Sequence, residues 1–197
     1  MLRVANVKVY DLIESVIACR NSMRLELPEY TPEEFQASLE RAKKLAPLGG
    51  GHNNFLAGIR VAFDLVYPNY ISPELQRYTF LKIVNSSSKM HKLVKMDMDA
   101  CFNKYVTEES KEQMKRLINA YNTLVYARAG ENAIYEAFMR VISNCPQGIE
   151  LFMRCTTNYL CLRNIYKQRK GHKLREDWQA FCEFIENLPY AKELILA

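Results

Sequence analysis

Arg77, Ser87 and Lys89 are residues whose types and spacing could do chemistry together. A guanidinium, a hydroxyl and an ammonium are the donors a dianionic phosphate needs, and charge-assisted hydrogen bonds are the strong ones. Arg77 falls on a helix signal. Ser87 lies in the polar run Asn85-Ser86-Ser87-Ser88 that follows, so the three could converge on one anion. The same spacing suits solvated charges around a turn, and spacing alone does not choose between the two. Other chemistries lack their pattern: there is no Walker loop, GxGxxG, GxSxG or HExxH. The six cysteines, Cys19, Cys101, Cys145, Cys155, Cys161 and Cys182, include no CxxC pair. His52, His91 and His172 are far apart. No metal centre is therefore expected, and the thiols read as free and at least half-buried.

The elements that must hold these residues begin with a short strand, Arg3 to Val9, and a helix from Asp11 to about Ser22. Thr31-Pro32-Glu33-Glu34 is a cap, a first-turn proline and a capping-box glutamate, predicting a helix to about Leu45. Pro47 and Gly49-Gly50-Gly51 end it and open a loop before His52. Ile59, Val61, Phe63 and Leu65 alternate with less apolar neighbours, the best strand pattern in the chain, and Pro68 closes it. Ser72-Pro73-Glu74 starts a helix predicted to run towards Lys82, with Asn85 to Ser88 as a turn after it. Helices are predicted from Thr107 to about Tyr126 and from Glu131 to Ser143, where Cys145-Pro146 breaks the pattern. Ile149 to Gln168 reads as one long buried helix and Glu176 to Asn187 as a terminal amphipathic one. The class is α+β, α/β-like in its alternation: a small mixed sheet flanked by several long helices.

Length and composition fit this reading. The 197 residues suit a single domain over 1–197, with 49% hydrophobic and 25% charged residues. A net charge of +5 favours an anionic ligand but falls short of a nucleic-acid-coating composition. The basic run from Lys167 to Arg175 reads as a solvated helix end. Met1 to Tyr10 holds no apolar leader region and no stretch approaches 18 uncharged apolar residues. The expectation is a cytoplasmic protein with no membrane partner.

In ordered pieces the sequence resembles the flavin-dependent thymidylate synthases, the ThyX family. The family pattern has a Gly-His segment, a strand ending in Pro, and the signature R-H-R-x-x-S-x-N-E-x-S-x-R. Gly51-His52 matches the first piece, Pro68 falls at the strand end, and Arg77 to Lys89 lies under the signature. Arg77 matches its first Arg, Ser87 its late Ser, and Lys89 replaces its last Arg. Cys19-Arg20-Asn21-Ser22 is similar to the family's A-R-V-S. Asn158 to Arg169 matches a family helix at Asn158, Asn164 and Arg169. Helical spacing puts Asn158 and Arg169 on one side and turns Asn164 elsewhere unless another subunit is involved. Tyr78 and Thr79 stand where the signature has its His and second Arg, Lys82 where it has its first Ser, and Val84-Asn85 where it has Asn-Glu. Ala57 and Gly58 replace a Glu and a His that follow the Gly-His segment.

The resemblance implies one-carbon transfer to a deoxypyrimidine monophosphate, by dUMP methylation or a variant such as hydroxymethylation. FAD would be the cofactor, and NADPH and methylenetetrahydrofolate the co-substrates. It implies that Arg77, Ser87, Lys89 and Arg169 hold the nucleotide and that Ser22, His52, Asn158 and Asn164 line the flavin. It gives Arg169 a catalytic place against the pyrimidine. Lys82, taken as one helical turn after Tyr78, would restore a lost charge and makes the second catalytic candidate. It also implies a homotetramer with shared sites, for which the apolar Ile149–Tyr166 segment is a candidate contact surface. The alternative is a non-catalytic nucleotide-binding or structural protein on the same fold.

Overall fold

The computed structural model describes residues 1–196. Strand β1 (Arg3–Tyr10) turns through Asp11, whose backbone is left-handed at φ 57°, into helix α1 (Leu12–Ala18). Helix α2 (Pro32–Leu45) begins as the sequence predicts: Thr31 Oγ1 accepts a hydrogen bond from the Glu34 amide at 3.2 Å, and Pro32 takes the first turn. The short helix α3 (Phe55–Gly58) precedes β2 (Arg60–Pro68). Next come α4 (Ser72–Leu75), β3 (Lys82–Ser86) and α5 (Lys89–Lys92). Helices α6 (Glu108–Tyr126) and α7 (Glu131–Ser143) pack against each other, with the Tyr121 and Phe138 rings 5.8 Å apart. Strand β4 (Glu150–Asn158) runs directly into α8 (Tyr159–Arg169), followed by α9 (Arg175–Glu186) and α10 (Ala191–Leu194).

The four strands form one sheet in the order β1-β2-β4-β3. The class is the expected α+β, but every pairing is antiparallel where a mixed sheet was expected. The chain re-enters the sheet at the end it has just left, so Tyr10 pairs with Arg60 and Arg60 with Asn158. Two predicted helices give way. The Ser72 helix stops at Leu75, and Lys82 to Ser86 is an edge strand. Those five residues are all exposed, so no apolar alternation marks them, and backbone pairing with β4 holds them. The run predicted as one helix from Ile149 to Gln168 is β4 followed by α8. Leu151, Met153, Cys155 and Thr157 turn inward while Phe152 and Thr156 turn outward. That period of two belongs to a strand. The helix predicted to Ser22 ends at Ala18.

The inward rows build the core. Val61, Phe63, Leu65 and Tyr67 of β2 lie opposite Thr157, Cys155, Met153 and Leu151 of β4, all buried. The Phe63 ring packs on Phe181 at 5.9 Å and Phe184 at 5.0 Å, which docks α9 on the sheet. Burying one such side chain contributes about 1.5–3 kcal/mol. The six thiols are free, four buried and two half-buried. Because β4 and α8 supply core residues along most of Ile149–Tyr166, most of that segment is interior, and only its outward side chains, Phe152 among them, are exposed. Among the described residues no helix is long and apolar enough to cross a membrane.

Candidate functional site

The antiparallel register gathers one end of the sheet into a groove. Tyr10 ends β1, Arg60 begins β2, Asn158 ends β4 and Lys82 begins β3 opposite Thr156. The Asn158 side-chain carbonyl accepts from the Cys161 amide at 2.9 Å and starts α8, which leaves its amide N–H groups for the groove. Two adjoining cavities open here. One, of about 360 Å³, is lined by Tyr10, Arg60, Phe80 and Lys82. The other, of about 250 Å³, is lined by Arg77, Tyr78, Asn164 and Gln168. They share Ala57, Phe80 and Asn158. Arg60 is bound by Asp11 at 2.6 and 3.0 Å, whereas Arg77 and Lys82 form no ion pair among the described residues. Phe80, 66% exposed, stands on the lip between the cavities. Cations, aromatic faces and amide donors together suit a planar anionic ligand.

Of the residues singled out by sequence, the structure brings Arg77, Lys82, Asn158 and Asn164 together. Asn164 was expected to point away from Asn158, but Asn158 caps α8 instead of lying inside it, and both face one cavity. Lys82 shares no helix with Tyr78. It reaches the groove as the first residue of β3, so the one-turn argument for its role fails.

Arg169 lies behind this groove. Its guanidinium carbon sits 4.4 Å over the Trp178 ring centroid and 5.6 Å from that of Tyr78. Its Nε donates to Tyr78 Oη at 2.7 Å, and its Nη1 lies 2.9 Å from Glu74 Oε2 and 3.1 Å from His172 Nε2. Trp178 Nε1 donates to the same Glu74 oxygen at 2.8 Å. The Arg169 side chain is 11% exposed. The Tyr78 hydroxyl in turn donates to Gln168 at 3.1 Å on the cavity wall. Burial pushes the Tyr78 phenol above its ordinary value and Arg169 pulls it back part of the way, so it stays protonated, a donor. Sequence reasoning treated Tyr78 only as a departure from the signature and missed Phe80, Gln168 and Glu74.

Ser87 and Lys89 lie elsewhere. Five strand residues at about 3.3 Å each put Ser87 about 16 Å beyond Lys82 along β3. Ser87 extends the ladder: its amide donates to the Phe152 carbonyl at 2.8 Å and its hydroxyl accepts from the Phe152 amide at 3.0 Å. Lys89 opens α5 beside the Cys145 thiol, which burial raises and Lys89 lowers. One chain therefore does not converge Arg77, Ser87 and Lys89 on a single anion. Ser22 and His52 line a separate, larger cavity between α1, α2 and the glycine loop. Helix α3 divides it from the groove: Phe55 faces the cavity and Ala57 faces the groove. Gly58 closes the α1–α3 contact, since a Cβ there would overlap Ser15 Oγ and sit 3.3 Å from Ser15 Cβ.

No protein-family model matches the sequence, and no curated protein matches it at the level of sequence. The fold does have solved counterparts. Two structures of the flavin-dependent thymidylate synthase ThyX from Helicobacter pylori, each with FAD and dUMP, superpose with TM-scores of 0.69 and 0.70 at 13% identity. The match covers 98–99% of this chain and 97% of theirs. The fold is that of ThyX. A UMP/dUMP methylase, PolB from Streptomyces cacaoi, bound with 5-Br dUMP, matches at TM-score 0.53 and 14% identity over 84% of this chain and 77% of its own. The ThyX fold accounts for the antiparallel sheet and for helix α8, which carries both Asn164 and Arg169. At 13% identity it carries the architecture alone.

Proposed function

We propose that this chain binds a flavin and a pyrimidine deoxynucleotide at the end of its sheet and transfers a one-carbon unit to the pyrimidine. The observation that carries the reading is the groove itself, where Arg77, Lys82, Asn158 and Asn164 meet on a ThyX fold. The donor set fits both ligands. Arg77 and Lys82, without an ion pair among the described residues, supply charge for a phosphate, and amide and phenol groups line a cavity together with the exposed Phe80 ring. When bound, FAD would supply the reducing equivalents passed from NADPH, with methylenetetrahydrofolate as the one-carbon donor. This chain's own work is orientation: Asn158 and Asn164 hold a planar ring by its polar edge, and Lys82 stabilises negative charge as it develops there. Purified protein is expected to be yellow, with bound FAD released on denaturation. Calorimetry should show dUMP binding that Arg77→Ala weakens by roughly 1.5–3 kcal/mol, or about 10- to 150-fold. A colourless protein that takes up no FAD overturns the reading.

The chain works as a homotetramer in this proposal, with Ser87 and Lys89 of one copy serving the groove of another, since one copy holds Ser87 about 16 Å from Lys82 and Lys89 beyond it in α5. The outward faces carry exposed apolar groups suited to such contacts, Phe152 and Val84 among them. Light scattering at micromolar concentration should give four times the chain mass, and a monomer mass sinks the shared site. A second reading, a binding protein without turnover, is favoured by one observation: Arg169, the catalytic candidate, already has its charge and donors engaged by Glu74 and Tyr78.

A further inference from the structure

The strap between α1 and α2 carries the most exposed large hydrophobic side chains among the described residues. Leu25 is 104% exposed and Leu27 95%, with Met23 and Tyr30 exposed beside them. Water-facing leucines set together mark an interaction surface. The strap is held at both ends: Arg20, at 3.1 Å, and Arg24 bind Glu34 of α2, and Thr31 caps that helix. A segment fixed in this way loses little freedom on docking. Arg24 is extended, with φ −108° and ψ 150°, and Leu25 and Leu27 alternate with Glu26 before Pro28, the period of a strand. Glu26, Glu29 and Glu33 are exposed and form no ion pair among the described residues. Strand β3 is the complement. It ends the sheet order, so one of its edges has no strand partner within the chain. Ile83, Val84 and Met90 are exposed on it and just after it. Lys82, Lys89, Lys92 and Lys95 accompany them, and residues 82–95 include no Asp or Glu. None of these four lysines forms an ion pair among the described residues.

We propose that the strap, residues 24–29, of one copy of this chain docks as an added strand on the β3 edge of a second copy, with Leu25 and Leu27 on Ile83, Val84 and Met90 and the strap glutamates facing the lysines. About a two-fold axis the joint forms twice, each copy giving its strap and receiving the other's, so the contact closes on itself. The joint goes beyond the tetramer proposed above, for which no contacting segments are paired, and it needs neither flavin nor nucleotide. Carbodiimide, which couples a carboxylate to a neighbouring amine, is applied to a mixture of isotope-labelled and unlabelled chains. Mixed-label links from Glu26 or Glu29 to Lys82, Lys89, Lys92 or Lys95 are expected. Leu25→Ser with Leu27→Ser, at positions outside the core, should keep the helical signal and raise the dissociation constant of the assembly by at least about tenfold. Glu26→Lys with Glu29→Lys should do the same, and adding Lys92→Glu with Lys95→Glu should restore assembly. Unchanged assembly in the double-serine variant, links only to other segments, or charge-reversed chains that the second pair of substitutions does not rescue overturn the joint and leave the tetramer standing. A monomer without mixed-label links overturns both.

Discussion

Glu74→Ala is expected to destabilise the fold by about 3 kcal/mol, the low end of the range for breaking a buried ion pair, because Glu74 is itself 27% exposed. The substitution leaves the indole N–H of the fully buried Trp178 without its acceptor and strips Arg169 of its counter-charge. For a chain of this length the loss corresponds to a melting temperature lower by roughly 6–12 °C. Glu74→Gln, which keeps an acceptor for Trp178, should lose distinctly less. A denaturant melt within about 0.5 kcal/mol of wild type for the Ala variant would show that the cluster is peripheral to the fold. Nucleotide affinity in the same variant reads the second role. If Arg169 serves the pyrimidine as the resemblance implies, removing its internal partner should tighten dUMP binding while stability falls. If Arg169 only braces Tyr78, affinity should fall with stability.

Turnover is expected to be slow. The resemblance sets Thr79 and Asn85 where the ThyX signature has an arginine and a glutamate. Losing one preorganised electrostatic group commonly costs about 10²–10³ in rate. Two such losses leave Lys82, a cation without an ion pair among the described residues, at the β3 side of the groove, with Arg77 on the other side. Tritium release from C5-labelled deoxyuridylate or deoxycytidylate, with FAD, NADPH and methylenetetrahydrofolate, should be weak and should drop a further factor of about 10² in Lys82→Ala. Undiminished release in that variant would remove Lys82 from the chemistry. No release from either nucleotide, with binding intact, would favour the non-catalytic reading.

What the sequence made legible follows from where its information is local. Helix α2 announces itself through Thr31, Pro32 and Glu34, and β2 through strict alternation; both were read nearly to the residue. Strand β3 has no such signal because all five residues are exposed and its partner, β4, lies some seventy residues away in sequence. The β4–α8 junction carried a signal that an apolar run masked: Asn158, a capping residue, was read as helix interior. The site divides in the same way. Arg77, Lys82, Asn158 and Asn164 came from aligned motif positions. The tie between Glu74 and Trp178 spans 104 residues and exists only in the folded chain.

Gly58 bears on history as well as packing. The resemblance puts a histidine of the family pattern at this position, and here Ser15 of helix α1 occupies the room its first carbon would need. Introducing that histidine by itself would displace Ser15, and overpacking of this kind typically costs about 1–3 kcal/mol. Ser15 would have to shrink first, so the order of the two changes matters. The motif is then not a set of letters that can be changed back one at a time.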